Sequence, residues 1–206
     1  MSDTMCWALR RGNPATVEIY DSPEPGRTAK ELQAALAVLH PKRLLITINS
    51  AAGTFAQGLD LYDVLAHGSG EIKTLVQFAA NGGALVAMAA PGGNRFITAD
   101  GSLFILAPTF SRVEARAPLL ERLQTETYEA AVIFSGAMGG DTEFWRSAME
   151  SGTLYTSEHA VCSVSTLPEL QKWTPAVPEA HWKRREPQIT GELRIAADAV
   201  PKVVTW

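Results

Sequence analysis

Apolar and polar residues alternate across TVEIY, residues 16–20, and its β-branched content predicts a strand. DSPEPG then turns the chain, and the apolar spacing lengthens to that of a helix. TAKELQAALAVL has Thr28 as N-cap and Glu31 at the capping-box position, and is expected to stop at His40-Pro41. RLLITIN is a short unbroken apolar run, the pattern of a strand covered on both faces. Strand, helix and strand make a β-α-β unit, which requires parallel strands and a right-handed crossover.

The alternation continues downstream. A helix is expected from about Ala56 to Ala66, ending at His67-Gly68-Ser69-Gly70. IKTLVQFAA predicts a third strand and GGALVAMAA a helix of small residues behind it. NRFITAD and SLFILAP predict two strands around a turn at Asp100-Gly101. A long helical region is expected from about Ala117 to Phe134, interrupted by Gly136 and Gly139-Gly140, with helix resuming from Asp141 to about Met149. TLYTSEHAV predicts a strand end and then a short helix capped by Ser157 or Thr156. From Leu167 onward prolines at 168, 175, 178, 187 and 201 and tryptophans at 173, 182 and 206 change the character. Residues 1–166 are therefore expected to form one α/β domain, and residues 167–206 an irregular arm with one strand, GELRIAA.

Charge and cysteine content narrow the function classes. The formal net charge is −4, so there is no global basic field for nucleic acid. The run Lys183-Arg184-Arg185 lies beside Glu179 and Glu186 and reads as solvated surface. Cys6 and Cys162 are far apart with no CxxC, so neither a disulfide scaffold nor a zinc site is expected. No apolar run approaches the ~20 residues of a membrane helix, and the N-terminal stretch lacks a signal-peptide core. The expectation is a cytoplasmic protein with no cofactor, no metal, no nucleic acid and no membrane partner.

The stretch NSAAGTFAQGLDLYDVL, residues 49–65, resembles the ClpP-type peptidase pattern Asn-Ser-Pro-Gly-Gly, a loop, then Gly-x-x-Ile-Tyr-Asp. It matches without gaps at Asn49, Ser50, Gly53, Gly58, Tyr62 and Asp63. It also resembles the crotonase pattern Ala-Phe-x-x-Gly-x-Asp-Leu, at Phe55, Gly58, Asp60 and Leu61. GGNRFITADGSLFILAP and MESGTLYTSEHAV are similar to later ClpP blocks, so the resemblance covers about residues 16–166. The two families share one fold, and the resemblance implies a stacked β-β-α spiral with an interlocking helix, LLERLQTETYEAAVIF. Leu119, Leu120, Leu123, Tyr128, Ala131 and Val132 would serve an interface there, or equally a packing face within the chain.

The resemblance also implies an oxyanion hole, two backbone N–H groups aimed at a carbonyl oxygen that gains charge. Gly53 and Gly82 would supply them, since glycine leaves room for a ligand; these glycines would equally permit tight strand-to-helix packing. The triad positions of a ClpP-type peptidase fall on Asn81, Leu106 and Gly152, none of which attacks or takes a proton as a serine, histidine and aspartate would. Residues 75–101 contain no serine or cysteine, and no histidine lies between 68 and 158. The glutamate positions of crotonase hydratases fall at Val86 or its neighbours and at Thr109, while Glu114 has the wrong spacing.

Other candidates read more simply. Ser135 follows a helix and lacks the strand-turn-helix context of a nucleophile elbow. Ser50 reads as a turn residue, His67 as a C-terminal helix histidine near Asp63, and His159 as a core or surface residue near Cys162. Asp60 is placed to cap or brace the turn. The leading expectation is a ClpP-like protein without proteolysis, a structural or regulatory subunit in a homo-oligomer or in a mixed ring with a ClpP-like relative. The alternatives are an enzyme, peptidase or acyl-thioester, that uses the hole with Asn81 orienting substrate, and a binding module partnering an active ClpP-like relative; the candidate ligand is a peptide or acyl group.

Overall fold

The computed structural model describes residues 4–107, 117–156, 160–161, 189–195 and 202–203. Four strands form a parallel centre: β2 (Ala15–Ser22), β3 (Arg43–Ser50), β4 (Glu71–Ala80) and β5 (Arg95–Ile105). β1 (Thr4–Arg10) adds antiparallel to β2 at one edge. On the other side β6 (Thr153–Thr156) runs antiparallel to β5, followed by β9 (Lys202–Val203). β7 (Ala160–Val161) pairs with β8 (Ile189–Ile195), which also pairs antiparallel with β5.

β5 departs from the expected pair of strands. It is one element, but its register jumps: Val76 lies opposite Ile97, and Phe78 opposite Ser102. Phe96–Thr98 pair with β8, whereas Ser102–Ile105 pair with β6. The Asp100-Gly101 signal therefore marks an excursion inside a bent strand, not a hairpin turn. A methyl at Gly101 would lie 2.6 Å from the Ile97 side chain, so the bend needs glycine's missing Cβ.

α1 (Ala29–Leu39) opens with the expected capping box, Glu31 N–H donating to Thr28 Oγ1 and Thr28 N–H to Glu31. α2 (Phe55–Ala66) repeats the device with Thr54 and Gln57. α3 (Gly82–Ala87) is buried along its whole length. Its first turn sits so close to α2 and β3 that glycine is needed at the contacts: a methyl on Gly58 of α2 would lie 2.5 Å from Gly82 O, and one on Gly83 would lie 3.0 Å from Ser50 O. The Thr74 hydroxyl donates to the Ala87 carbonyl at 3.0 Å, satisfying a C-terminal acceptor of α3 inside the core.

α4 (Ala117–Met138) runs through Gly136 without a break and ends only before Gly139-Gly140, both at positive φ. No basic side chain lies in its last turn. Arg95 of β5 supplies the charge instead: buried, it donates to the Ala137 carbonyl at the negative end of the helix. α5 (Thr142–Ser151) starts at Asp141, whose carboxylate accepts the Phe144 N–H at 2.7 Å. Trp145 then joins α4, α5 and β6. It is fully buried, packs against Phe134, Phe144 and Tyr155, and donates its indole N–H to Gly139 O at 2.7 Å. Burial pushes the Tyr155 hydroxyl up to about 12.

Two further expectations change. The segment TMCWALR is a strand, β1, although its sequence pattern predicts no element. Ala160–Val161 is strand where a short helix was expected; Ser157, His159 and Cys162 lie outside the described residues. None of the described helices is long and apolar enough to cross a membrane.

Candidate functional site

The site is built at the carboxyl ends of β3, β4 and β5. β3 ends at Ser50 and the chain turns through Ala51, Ala52 and Gly53 before α2 begins. Gly53 has φ +90°, and a methyl there would lie 2.7 Å from Met5 Cβ of β1, so both the backbone and the contact require glycine. Gly82 opens α3 against this loop: a methyl there would meet Thr54 O at 2.6 Å. The two glycines named from the sequence thus lie on adjoining segments. Among the described residues, neither the Gly53 nor the Gly82 N–H makes a hydrogen bond.

Asn81 occupies the turn between β4 and α3 with φ +49° and ψ −124°. That combination lies outside the left-handed helical well that asparagine tolerates, and strain of this kind costs on the order of 1–3 kcal/mol. It is a strand, sharp-turn, helix arrangement that lifts one side chain clear of the sheet edge. The Asn81 amide donates to Ala51 O at 2.9 Å, tying the elbow to the glycine loop.

The sheet register gathers the other two positions nearby. Ala80 lies opposite Phe104, so Asn81 and Leu106 both project past the ends of neighbouring parallel strands. Ile105 lies opposite Thr153, so Leu106 and Gly152 extend the same antiparallel pairing. A methyl on Gly152 would lie 3.1 Å from Leu106 Cδ2. Residues 81, 106 and 152 are therefore brought to one sheet end, filled by an amide, a leucine and a glycine.

A family model described as Clp protease matches residues 18–126, more than half of the chain. The chain belongs to the Clp protease family. Among solved structures it is similar to a point mutant of ClpP1 from Listeria monocytogenes, with a TM-score of 0.53 and 20% identity. That similarity covers 62% of this chain and 75% of the other, and the two share a fold. No match to a curated protein was found.

The sequence did not single out Asp21, yet it organises the loop of this Clp-family chain. From the end of β2 its carboxylate accepts the Ser50 hydroxyl at 2.5 Å, the Ala51 N–H at 2.8 Å and the Ala52 N–H at 3.1 Å. Three donors that would otherwise face one another are satisfied by one anion. No local spacing announces this role, because Asp21 lies about thirty residues from its partners. Removing it strands donors around a buried Ser50. Asp21→Ala is expected to lower stability by about 1–3 kcal/mol, with Asp21→Asn recovering part of that loss, in equilibrium urea unfolding.

The remaining candidates of the Clp-family chain settle as follows. Asp60 is exposed, and among the described residues the turn is held by others: Thr54 caps α2 and Asp21 holds the loop. His67 closes α2, its Nδ1 2.9 Å from Asp63 O. Ser135 donates to Gly140 O at 2.7 Å and serves the end of α4. Burial, then the Asp63 carboxylate, raises the Tyr62 hydroxyl, while Arg95 opposes the shift. No group of three potential metal ligands occurs among the described residues.

Proposed function

We propose that this Clp-family protein is a non-proteolytic oligomeric subunit, structural or regulatory, that keeps the pocket of a peptidase without its reacting groups. The observation that supports this reading is the shared sheet end of Asn81, Leu106 and Gly152. An amide nitrogen at the elbow is no nucleophile, and neither neighbour accepts a proton, so general-base attack on a carbonyl has no participant there. Among the described residues, the N–H groups of glycines 53 and 82 beside that elbow are unengaged. This favours a second reading in which the pocket still binds a carbonyl of a peptide or acyl ligand without turning it over.

Assembly has its own support. Leu120, Tyr128 and Val132 lie on the i, i+4 row of α4, with the exposed Gln124 between the first two, and are 46%, 57% and 46% exposed, three apolar side chains on one line of the helix surface. A second copy, or a serine-bearing ClpP-like relative in a mixed ring, would cover it. In this reading residues 167–206 form an arm packed on the domain, whose described strands β8 and β9 pair with β5 and β6.

The test combines three measurements on the purified chain. Fluorogenic peptides should not be turned over, a serine-directed fluorophosphonate should not label the protein, and light scattering should give a mass well above one chain. Peptide turnover blocked by that probe would overturn the reading, as would a monomer at high concentration with no capture of a ClpP-like partner.

A further inference from the structure

We propose that Asn81 is a site of self-modification, in which the fold drives its amide onto the Gly82 nitrogen to give a succinimide and then aspartate or isoaspartate. The reaction depends on the backbone angle at Asn81. An L-residue sets its Cβ one third of a turn from its own nitrogen, so a ψ of −124° nearly eclipses Cβ with the Gly82 nitrogen across the Cα–C bond. That eclipse is what a five-membered ring through Cα, Cβ, Cγ, the Gly82 nitrogen and the Asn81 carbonyl carbon requires. A free asparagine seldom visits positive φ with this ψ, whereas the β4–α3 elbow keeps it there.

Three further observations act in the same direction. Gly82 has no side chain to shield its nitrogen, and its N–H has no hydrogen-bond partner among the described residues. Asn81 is only half-buried, and the bond from its side-chain amide to Ala51 O is exposed, so water reaches the group. Asn81 is also the one asparagine followed by glycine: Asn13 precedes proline, Asn49 serine and Asn94 arginine.

The steps balance without an oxidant or cofactor. The Gly82 nitrogen bonds to Asn81 Cγ, the Cγ–Nδ2 bond breaks, and the Gly82 amide proton leaves with the departing nitrogen as ammonia. One water then opens the imide, at Cγ to give aspartate or at the backbone carbonyl to give isoaspartate. Either product replaces a donor to Ala51 O by a carboxylate, so the tie between the elbow and the glycine loop is lost.

The intact protein is held at neutral pH and 37 °C, natively or in urea, and sampled by peptide mapping for the amide-to-acid mass change at residue 81. Isoaspartyl methyltransferase labelling reports isoaspartate, and hydroxylamine cleavage between 81 and 82 reports the imide. Asn81 should convert several-fold faster in the native chain than in urea, with Asn13, Asn49 and Asn94 unchanged in the folded protein. Asn81→Gln, which would need a larger ring, should stay intact. A native rate at or below that in urea overturns the proposal, and this comparison needs no variant to fold.

Discussion

Trp145→Ala is expected to remove about 3–5 kcal/mol of stability, the range for emptying a large aromatic site in a packed core. Loss at this scale is comparable to the whole margin of a domain, about 5–15 kcal/mol. The expectation rests on position as well as size. Trp145 is fully buried and touches Phe134 on α4, Phe144 on α5 and Tyr155 on β6, so one truncation loosens three elements at once. Its indole N–H also satisfies the Gly139 carbonyl, an acceptor left open where α4 ends. Trp145→Phe keeps most of the ring contact and loses that bond, so it should cost far less, about 1–2 kcal/mol beyond the smaller ring. Urea unfolding followed by far-ultraviolet circular dichroism separates the two. A Trp145→Ala midpoint equal to that of the parent would mean that the aromatic cluster carries little of the stability.

Tyr128→Asp combined with Val132→Asp is expected to convert the assembly to single chains while the fold persists. Both side chains are substantially exposed in the isolated chain, so folding should tolerate charge there. A carboxylate at the centre of a covered apolar stripe, by contrast, must be desolvated without a partner. A hot-spot loss of about 2 kcal/mol weakens association about thirtyfold per site. Light scattering across a dilution series reads the mass, and circular dichroism checks the helix content. An unchanged mass would place the subunit contact elsewhere and remove the support that α4 gives to the oligomeric reading.

The local grammar of the chain was largely legible. The Thr28–Glu31 box, the β3 run RLLITIN and the glycine-rich stop after α2 each act over a few residues, and each produces the element it predicts. What escaped depends on distant partners. TMCWALR becomes a strand because β2 pairs with every one of its residues, from Thr4 opposite Ser22 to Arg10 opposite Thr16. Asp100-Gly101 has turn chemistry, yet β8 and β6 pair with β5 on either side of it and keep the backbone extended. At the site, the resemblance located Asn81, Leu106 and Gly152, and the register then brought them together. Asp21 carried no such mark, because two of its three partners are backbone N–H groups that any sequence possesses, and the third, the Ser50 hydroxyl, is 29 residues away.

Met5 packs its thioether against Gly53 from a strand that has a single neighbour in the sheet among the described residues. Peeling away that outermost ribbon would break only one ladder, a smaller disruption than moving any interior strand. Such fraying would bare the floor of the glycine loop while leaving α2, α3 and the parallel centre in place. Access to the glycine loop is thereby coupled to an edge strand of the sheet.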